Sequence, residues 1–337
     1  MRRVAIVFTG GTIAMRQGAA GQQPTLRAAD LLAGVPGLDR IAEVEPIDWG
    51  LVPASHLSFD QVLDIGRILD ATLRRDDVDG AVVVQGTDVI EETAFAWDLL
   101  PLPAKPLVVV GAMRSASQEG YDGPENLRNA VAAAADPLLA EQGVVVALAG
   151  ELNGADDVRK THTHAYATFA SPNLGPLGTV TGGRIELRRR RTPVRLPAIP
   201  ERAALPVPVI TAVLDDAVPS PASLGQPAGL VVAATGGGNT APGYLALAQE
   251  LIAAGVPVAL TTRCPSGRPL PGYGFPGGSS TWWEAGAIFS GTLGAPKTRA
   301  LLCLGIGAGL DADGLAELVA PYGGGRRGVP RGIGSGS

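Results

Sequence analysis

Residues 3–15 read RVAIVFTGGTIAM, and this stretch shows the design on which the first half of the chain is built. Val4 to Phe8 is apolar throughout, without the alternation expected of a strand that has one face in water. The run ends at two glycines, and the hydroxyl of Thr12 follows them. The pattern predicts a strand buried on both faces, as in a parallel sheet covered by helices, that opens into a loop carrying a polar side chain.

Helical segments separate this strand from later runs of the same kind. The further runs are GAVVVQ at 80–85, LVVVGA at 107–112 and VVVALAG at 144–150. Ser58 and Gln61 have the spacing of a capping box and predict a helix start before the second strand. Asp122 and Pro124 mark another helix start in the same way. Because strands and helices alternate, the sequence predicts the α/β class, with a mainly parallel, doubly wound sheet.

The sequence changes character near residue 179. GTVTGGRIELRRRRTPVRLP, at 178–197, predicts a hairpin at Gly182–Gly183, followed by a basic, proline-rich crossing. A second strand–helix–strand block comes after it, with a parallel sheet of its own. The predicted organisation is an N-terminal domain over 1–191, a linker over 192–212, a smaller C-terminal α/β domain over 213–322 and a disordered, glycine-rich tail over 323–337.

Composition excludes several classes of protein. The chain has 337 residues, of which 46% are apolar and 18% charged, which is typical of a folded protein of two domains. A net charge of −5 gives no broad attraction to nucleic acid, and the four arginines at 188–191 are best explained as a solvated strand end. The apolar start stops after Phe8, too early for a signal peptide, and no run is long enough to span a membrane. We therefore expect a cytoplasmic protein without membrane or nucleic-acid partners.

Polar side chains follow two of the predicted strands. Thr12 comes after Gly10 and Gly11, and Thr87 and Asp88 come after Gly86 in QGTD at 85–88. In parallel α/β sheets, ligands bind outside the carboxyl ends of the strands, so these side chains would face one site. Each motif is also explained by a tight turn or by a helix cap.

Other motifs carry weaker signals. Lys160 would be a base if it were desolvated beside a threonine, although a lysine in a loop is most often a solvated charge. TGGGNT at 235–240 lacks the spacing of a nucleotide-binding loop. His162 and His164 would share one face of a strand, but His56 is the only other histidine and both cysteines are remote. We therefore expect neither a metal nor a cofactor.

The sequence resembles the bacterial-type asparaginase/glutaminase family of threonine amidohydrolases over nearly the whole chain. TGGTIA at 9–14 is identical to the first signature of that family. QGTD at 85–88 resembles the second signature, with Gln85 in place of the usual histidine. The other similar blocks, in the same order, are GAMR at 111–114, DGPENLRNAV at 122–131, KTHTHAYATFASPNLGPLG at 160–178 and GTLGAPKTRALL at 291–302.

The resemblance implies catalytic roles for four residues. Thr12 matches the nucleophile, and Thr87, Asp88 and Lys160 match a second cluster that assists it. Asp88 also matches the carboxylate that holds the α-ammonium of the substrate. The lid tyrosine that often activates the nucleophile is missing here, because that position is Thr25. Activation would then come from the Lys160 side or from a tyrosine elsewhere, such as Tyr273.

The resemblance also implies a set of substrate-binding residues. Ser55 matches a serine that binds the α-carboxylate of the substrate, and His56 stands beside it where many members have glutamine. Ala112 matches a backbone contact to the scissile amide, and Asn239 matches an asparagine that reaches the site of a neighbouring subunit. A glutamate partner of the lid tyrosine aligns with Glu284 only after a shift.

The expected function is therefore the conversion of L-asparagine and water to L-aspartate and ammonia through a threonyl acyl-enzyme. Glutamine or another small amide is the alternative substrate, because asparagine and glutamine differ by a single methylene. A non-catalytic amino-acid-binding homologue is the alternative of another class. The implied assembly is a homo-oligomer, at least a dimer, with a tetramer built from dimers expected.

Overall fold

The computed structural model describes residues 1–11, 13, 15–18, 21–24 and 28–328, with the backbone alone at 15–18 and 21–24. The chain divides into two compact units, Met1–Pro193 and Val194–Ser337. The first contains a large, mostly parallel sheet and the second a smaller parallel sheet, each combined with helices. The predicted α/β class, with a larger N-terminal and a smaller C-terminal sheet, is confirmed.

The first unit is built on one eight-stranded sheet. Its elements are, in chain order, β1 (Arg3–Phe8), β2 (Met15–Gly18), β3 (Gly21–Pro24), α1 (Ala28–Ala33), β4 (Glu43–Asp48), α2 (Phe59–Leu73), β5 (Gly80–Val84), α3 (Ile90–Leu99), β6 (Leu107–Val110), α4 (Gly123–Ala135), β7 (Val144–Leu148), β8 (Glu151–Gly154), β9 (Arg159–Lys160), β10 (Phe169–Ala170), β11 (Gly178–Thr181) and β12 (Arg184–Leu187). The large sheet has the strand order β12-β11-β8-β7-β6-β5-β1-β4. Strands β4, β1, β5, β6 and β7 are parallel, and β8, β11 and β12 extend the sheet in antiparallel pairs.

The predicted starts of two helices are found where the sequence indicates them. At α2, Gln61 N donates to Ser58 Oγ over 3.3 Å, and Ser58 N donates to the Gln61 side chain over 2.9 Å. At α4, Asp122 is the residue before the helix and Pro124 lies in its first turn. Within the described residues, the Asp122 carboxylate makes no capping hydrogen bond to the helix backbone. It accepts hydrogen bonds from Met113 N, Arg114 N and the side chain of Asn126 in α4. Asp122 therefore fixes the loop that follows β6.

The order of the strands places a crevice between β1 and β5. The chain passes from β1 to β4 on one side, and the next strand of the sheet, β5, pairs with β1 on the other side. Such a reversal of strand order leaves an opening at the carboxyl ends of the two strands, where α/β proteins bind their ligands. The segments that begin at Thr9 and at Gln85 flank this opening.

The arginine run at 188–191 is not simply solvated, as the sequence had suggested. The side chain of Arg191 is 4% exposed, and its guanidinium forms a bidentate ion pair with Asp98, which is 0% exposed, at 2.9 and 2.5 Å. Asp98 also accepts a hydrogen bond from Val144 N over 2.8 Å. The sequence of the run does not indicate this ion pair, because Asp98 lies on α3, 93 residues before Arg191.

We expect Arg191→Ala to lower the free energy of unfolding by about 3 kcal/mol, because it leaves the Asp98 carboxylate buried without its counter-charge. Arg190→Ala, at the exposed neighbouring position, is the matched control and should change stability by less than about 0.5 kcal/mol. Urea unfolding of both variants measures the difference. Equal stability of the two would show that the buried ion pair contributes nothing to folding.

The second unit is built on a four-stranded parallel sheet in the order β13-β14-β15-β16. Its elements are β13 (Val209–Thr211), β14 (Leu230–Ala234), α5 (Pro242–Ala253), β15 (Val258–Thr262), α6 (Ser279–Glu284), β16 (Ile288–Phe289), α7 (Ala295–Gly307) and α8 (Ala312–Val319). Large aromatic side chains fill its core, among them Tyr244, Trp282 and Phe289.

Two segments differ from the boundaries predicted from the sequence. Strand β13 lies inside the predicted linker 192–212, where a short, largely exposed strand among prolines gives little signal. At the other end, Gly325 exchanges two backbone hydrogen bonds with Phe289, so the ordered fold continues into the predicted tail. The rest of that tail, from residue 329, lies outside the described residues.

Candidate active site

The loops that follow β1 and β5 meet backbone to backbone. Gly11 has a φ of +97°, and a Cβ atom at this position would lie 2.1 Å from the nitrogen of Gly86. No residue with a side chain fits there. Thr12, the predicted nucleophile, comes next in the chain but lies outside the described residues, as does Thr25.

Two further strand ends close around this contact. After β4, the chain forms a single 3₁₀ turn, Ala54–His56, and Ala54 packs against Gly86. The predicted substrate-binding residues Ser55 and His56 are exposed in this turn. After β6, Gly111 packs against the methyl group of Thr87. Ala112, which follows, is fully buried and can offer only its backbone.

Lys160 reaches the segment that follows β5 with its side-chain amine. Its Nζ donates to Thr87 Oγ1 over 2.9 Å and to Asp88 Oδ1 over 3.1 Å. The Lys160 side chain is 19% exposed, whereas that of Asp88 is 65% exposed. Thr87 is buried. The structure thus brings together three of the predicted catalytic residues, as a threonine held by an ammonium group beside a carboxylate that is open to solvent.

A second contact fixes the backbone of Lys160. Glu91, in the first turn of α3, accepts a hydrogen bond from Lys160 N over 3.1 Å. Lys160 ends β9, and its neighbour Thr161 bonds through its backbone to Thr168 across the short β9–β10 hairpin. Sequence reasoning missed Glu91. A carboxylate one helical turn after Asp88, in the same QGTDVIEE segment, was the available signal.

Gln85, which precedes Gly86 in the QGTD segment, is completely buried. Its amide oxygen lies 3.0 Å from the hydroxyl of Thr93, on α3, and its amide nitrogen donates to Gly86 O over 3.3 Å. The side chain therefore satisfies both of its polar ends within its own segment. It braces the turn at Gly86 and Thr87 against the helix that follows.

The remaining predicted residues belong to the second unit. Asn239 is half-buried, and its side-chain oxygen accepts a hydrogen bond from Ser279 N over 3.2 Å. It closes the TGGGNT turn, in which the backbones of Thr235 and Asn239 pair. Tyr273 is 50% exposed, and Glu284 is the last residue of α6.

The histidine pair has a structural explanation within its own loop. His162 Nδ1 accepts hydrogen bonds from the backbone nitrogens of His164 and Ala165 over 2.9 and 3.0 Å. Across the part of the chain that the structure describes, no group of three or more His, Cys, Asp or Glu side chains is placed to hold a metal ion.

A tyrosine that sequence reasoning did not single out contacts the loop that follows β1. Tyr121 Oη donates to the backbone oxygen of Ile13 over 2.8 Å. Burial, reinforced by the charge of Asp122, raises the pKa of Tyr121 to about 12. Its position directly before the DGP motif at 122–124 was the only indication in the sequence.

Comparison with known proteins identifies the family. The profile described as "Asparaginase, N-terminal" matches residues 3–193, and the profile described as "Glutaminase/Asparaginase C-terminal domain" matches residues 211–319. The chain belongs to the asparaginase/glutaminase family. The recognition made from the sequence motifs is thereby confirmed, and so is the prediction of an enzyme of the asparaginase type.

Individual members of the asparaginase/glutaminase family match along almost the full length of the chain. A "Probable L-asparaginase" of Deinococcus radiodurans is 33% identical over 323 residues, which cover 94% of this chain and 96% of that protein. A "Probable L-asparaginase periplasmic" of Haemophilus influenzae is 32% identical over 323 residues, covering 90% and 88%. The crystal structure of a "Probable Cytoplasmic L-asparaginase" from Campylobacter jejuni superposes with a TM-score of 0.83 at 26% identity, covering 95% of this chain and 99% of that one.

The names of these relatives refer to two different compartments, the periplasm and the cytoplasm. The predicted cytoplasmic location of this protein therefore stays a prediction. None of the helices in the described ranges is both long and apolar enough to cross a bilayer.

Proposed function

We propose that the protein hydrolyses the side-chain amide of L-asparagine to give L-aspartate and ammonia, through an acyl-enzyme on Thr12. The observation that carries the proposal is the contact of Lys160 Nζ with Thr87 Oγ1 and Asp88 Oδ1, at 2.9 and 3.1 Å. An amide hydrolase needs a nucleophile and a group that moves protons, and this cluster supplies the second beside the loop that carries Thr12.

The reaction divides into two acyl transfers. In the first, the hydroxyl oxygen of Thr12 attacks the amide carbon, and the carbon–nitrogen bond breaks. The proton of Thr12 is delivered to the departing nitrogen, with the Thr87 hydroxyl and Lys160 as the relay, and ammonia leaves. In the second, water attacks the ester, releases L-aspartate and returns the proton to Thr12.

The environment of each group suits its proposed role. Thr87 is buried and its oxygen accepts a hydrogen bond from Lys160, so its own proton is free to point toward a reacting group. Asp88 is open to solvent, as a carboxylate that receives the α-ammonium of an amino acid must be. Ser55, exposed in the turn after β4, is proposed to receive the α-carboxylate, and His56 beside it to contribute to the same subsite. Backbone N–H groups, including that of Ala112, are proposed to orient the amide.

The purified protein should release ammonia from L-asparagine faster than from L-glutamine, in the presence of a chelator and without nucleotide. Hydrolysis of the two amides, and of a panel of other small amides, is measured by coupled ammonia detection. The two substrates differ by one methylene, which is worth about 1–3 kcal/mol in a pocket. The expected preference is for asparagine, the substrate in the names of the relatives described above. Faster release from glutamine would transfer the assignment to a glutaminase. No release from any amide would contradict the enzyme, and activity lost in chelator and restored by zinc would contradict the metal-free reaction.

We further propose a homo-oligomer, at least a dimer and most simply a tetramer built from dimers, acting in the cytoplasm. Asn239 belongs to the second unit, and the family resemblance has it complete the site of a neighbouring subunit. Sedimentation at the protein concentration of the assay should therefore give a mass of at least two chains. A fully active monomer would rule out a shared site.

A further inference from the structure

Tyr121 makes a contact that the proposed reaction does not yet use. Its hydroxyl donates to the backbone oxygen of Ile13 over 2.8 Å, and Ile13 directly follows Thr12 in the chain. Tyr121 itself lies in the segment that follows β6, more than a hundred residues away. The contact therefore joins two strand-end loops of the same site.

The loop that carries Tyr121 is held on both sides. The carboxylate of Asp122 accepts hydrogen bonds from Met113 N and Arg114 N, over 3.0 and 2.9 Å. Tyr166 Oη donates to Gly120 O over 2.7 Å, and the Arg114 guanidinium lies 4.6 Å from the centre of the Tyr166 ring. Tyr121 thus belongs to a loop whose conformation is fixed by these contacts, so its hydroxyl can hold the group that it binds in a fixed position.

The loop that Tyr121 contacts has a reason to need such a restraint. Thr12 follows two consecutive glycines, Gly10 and Gly11, which have the most conformational freedom of all residues. On the amino-terminal side of Thr12, the backbone contact of Gly11 with Gly86 restricts the conformation of the loop. On the other side of Thr12, the side chain of Ile13 is buried in the hydrophobic core, and its backbone oxygen is fixed by the hydrogen bond from Tyr121.

The phenol is suited to donate a hydrogen bond and not to accept a proton. Burial raises the pKa of Tyr121 to about 12, with a smaller effect of the neighbouring Asp122 charge in the same direction. The hydroxyl therefore stays protonated throughout the pH range in which an enzyme is assayed. Its proton is directed to the Ile13 carbonyl.

We infer that Tyr121 is a positioning residue for the nucleophile: its hydroxyl fixes the Ile13 carbonyl and, through it, the backbone that aims Thr12. The inference rests on the proposed function, in which Thr12 attacks the amide. It assigns Tyr121 no contact with the substrate and no proton transfer. Its effect is confined to the alignment of the attacking oxygen, which catalysis requires to within a fraction of an ångström.

Gly123 offers an independent way to displace the ring. A Cβ atom at Gly123 would lie 2.4 Å from three atoms of Tyr121, including its hydroxyl oxygen. Alanine at this position would therefore push the ring aside without removing any of its atoms. This gives a second variant with the same expected consequence.

The first test removes the hydroxyl alone. Tyr121→Phe should lower kcat by about 10- to 100-fold, the effect of a misaimed attacking group, with KM nearly unchanged. The pH profile of kcat should keep its shape. Tyr244→Phe is the matched control, because Tyr244 packs in the core of the second unit and its hydroxyl donates to the exposed Asp216 over 3.2 Å. The kcat of this variant should equal that of the wild type.

The second test uses Gly123→Ala, Tyr121→Ala and the double variant. Each single change should lower kcat as Tyr121→Phe does, and the double variant should be no slower than Tyr121→Ala, because the clash needs the ring. Unchanged kcat in Tyr121→Phe, a selective rise in KM or a lost limb of the pH profile would each overturn the inference. Thr12→Ala separates the two hypotheses: wild-type activity in that variant contradicts the proposed function, whereas an inactive Thr12→Ala with a fully active Tyr121→Phe contradicts the positioning role alone.

Discussion

Thr12→Ala should lower kcat for asparagine by at least about 10⁴-fold, because it removes the atom that forms the acyl-enzyme. Substrate binding should change far less, since the carboxylate of Asp88 and the turn that carries Ser55 remain in place. The measurement is a steady-state assay combined with the Kd of L-aspartate by calorimetry. A variant with near-normal kcat would exclude Thr12 as the nucleophile.

Thr12→Ser is the matched control, since it retains a hydroxyl at the same position and should recover most of the lost rate. A slow-reacting substrate followed by mass spectrometry of peptides locates the acyl group directly. We expect the adduct on the peptide that contains Thr12. An adduct on Thr87 would reverse the roles of the two threonines.

Lys160→Met should lower kcat by about 10²- to 10⁴-fold, the range for loss of general acid–base assistance. Methionine keeps the length and the apolar stem of lysine but cannot donate to Thr87 Oγ1. Thr87 would then lose its partner in the relay, while Glu91 would keep its hydrogen bond to the backbone of residue 160. A large loss of rate with a small change in stability would distinguish this chemistry from a structural defect.

Lys105→Met provides the comparison for Lys160→Met. Lys105 Nζ also makes two hydrogen bonds, to the backbone oxygens of Arg75 and Val78 over 2.6 Å each, and precedes the amino end of β6. Its loss should lower the thermal midpoint but leave kcat unchanged within about twofold. Strong activity in Lys160→Met would leave the proposed mechanism without a proton relay.

Much of the fold follows from patterns that are local in the sequence. The unbroken apolar run of Val4 to Phe8 predicts a strand that is covered on both faces, and β1 is buried between β4 and β5 in its sheet. Ser58 and Gln61 mark the start of α2 because a capping box involves only four consecutive residues. Gly182 and Gly183 mark the β11–β12 hairpin for the same reason.

Contacts between distant segments could not be read in the same way. Nothing in the arginine run indicates that Arg191 would find a buried partner in Asp98. The hydrogen bond from Tyr121 to Ile13 depends on the conformations of two loops, which the spacing of apolar residues in the sequence does not predict. The proximity of Lys160 to Thr87 was expected only because of the family resemblance, since its own sequence context is that of an ordinary loop lysine.

The contact between Gly11 and Gly86 has a consequence for the genetics of this protein. Where a large side chain clashes with another, a smaller neighbour at a second site often restores function. Here an added Cβ at Gly11 would meet the main chain of Gly86 at 2.1 Å, and a main chain cannot be shortened by any codon change. A loss-of-function substitution at position 11 should therefore have no compensating substitution at position 86, where glycine already has no side chain to remove.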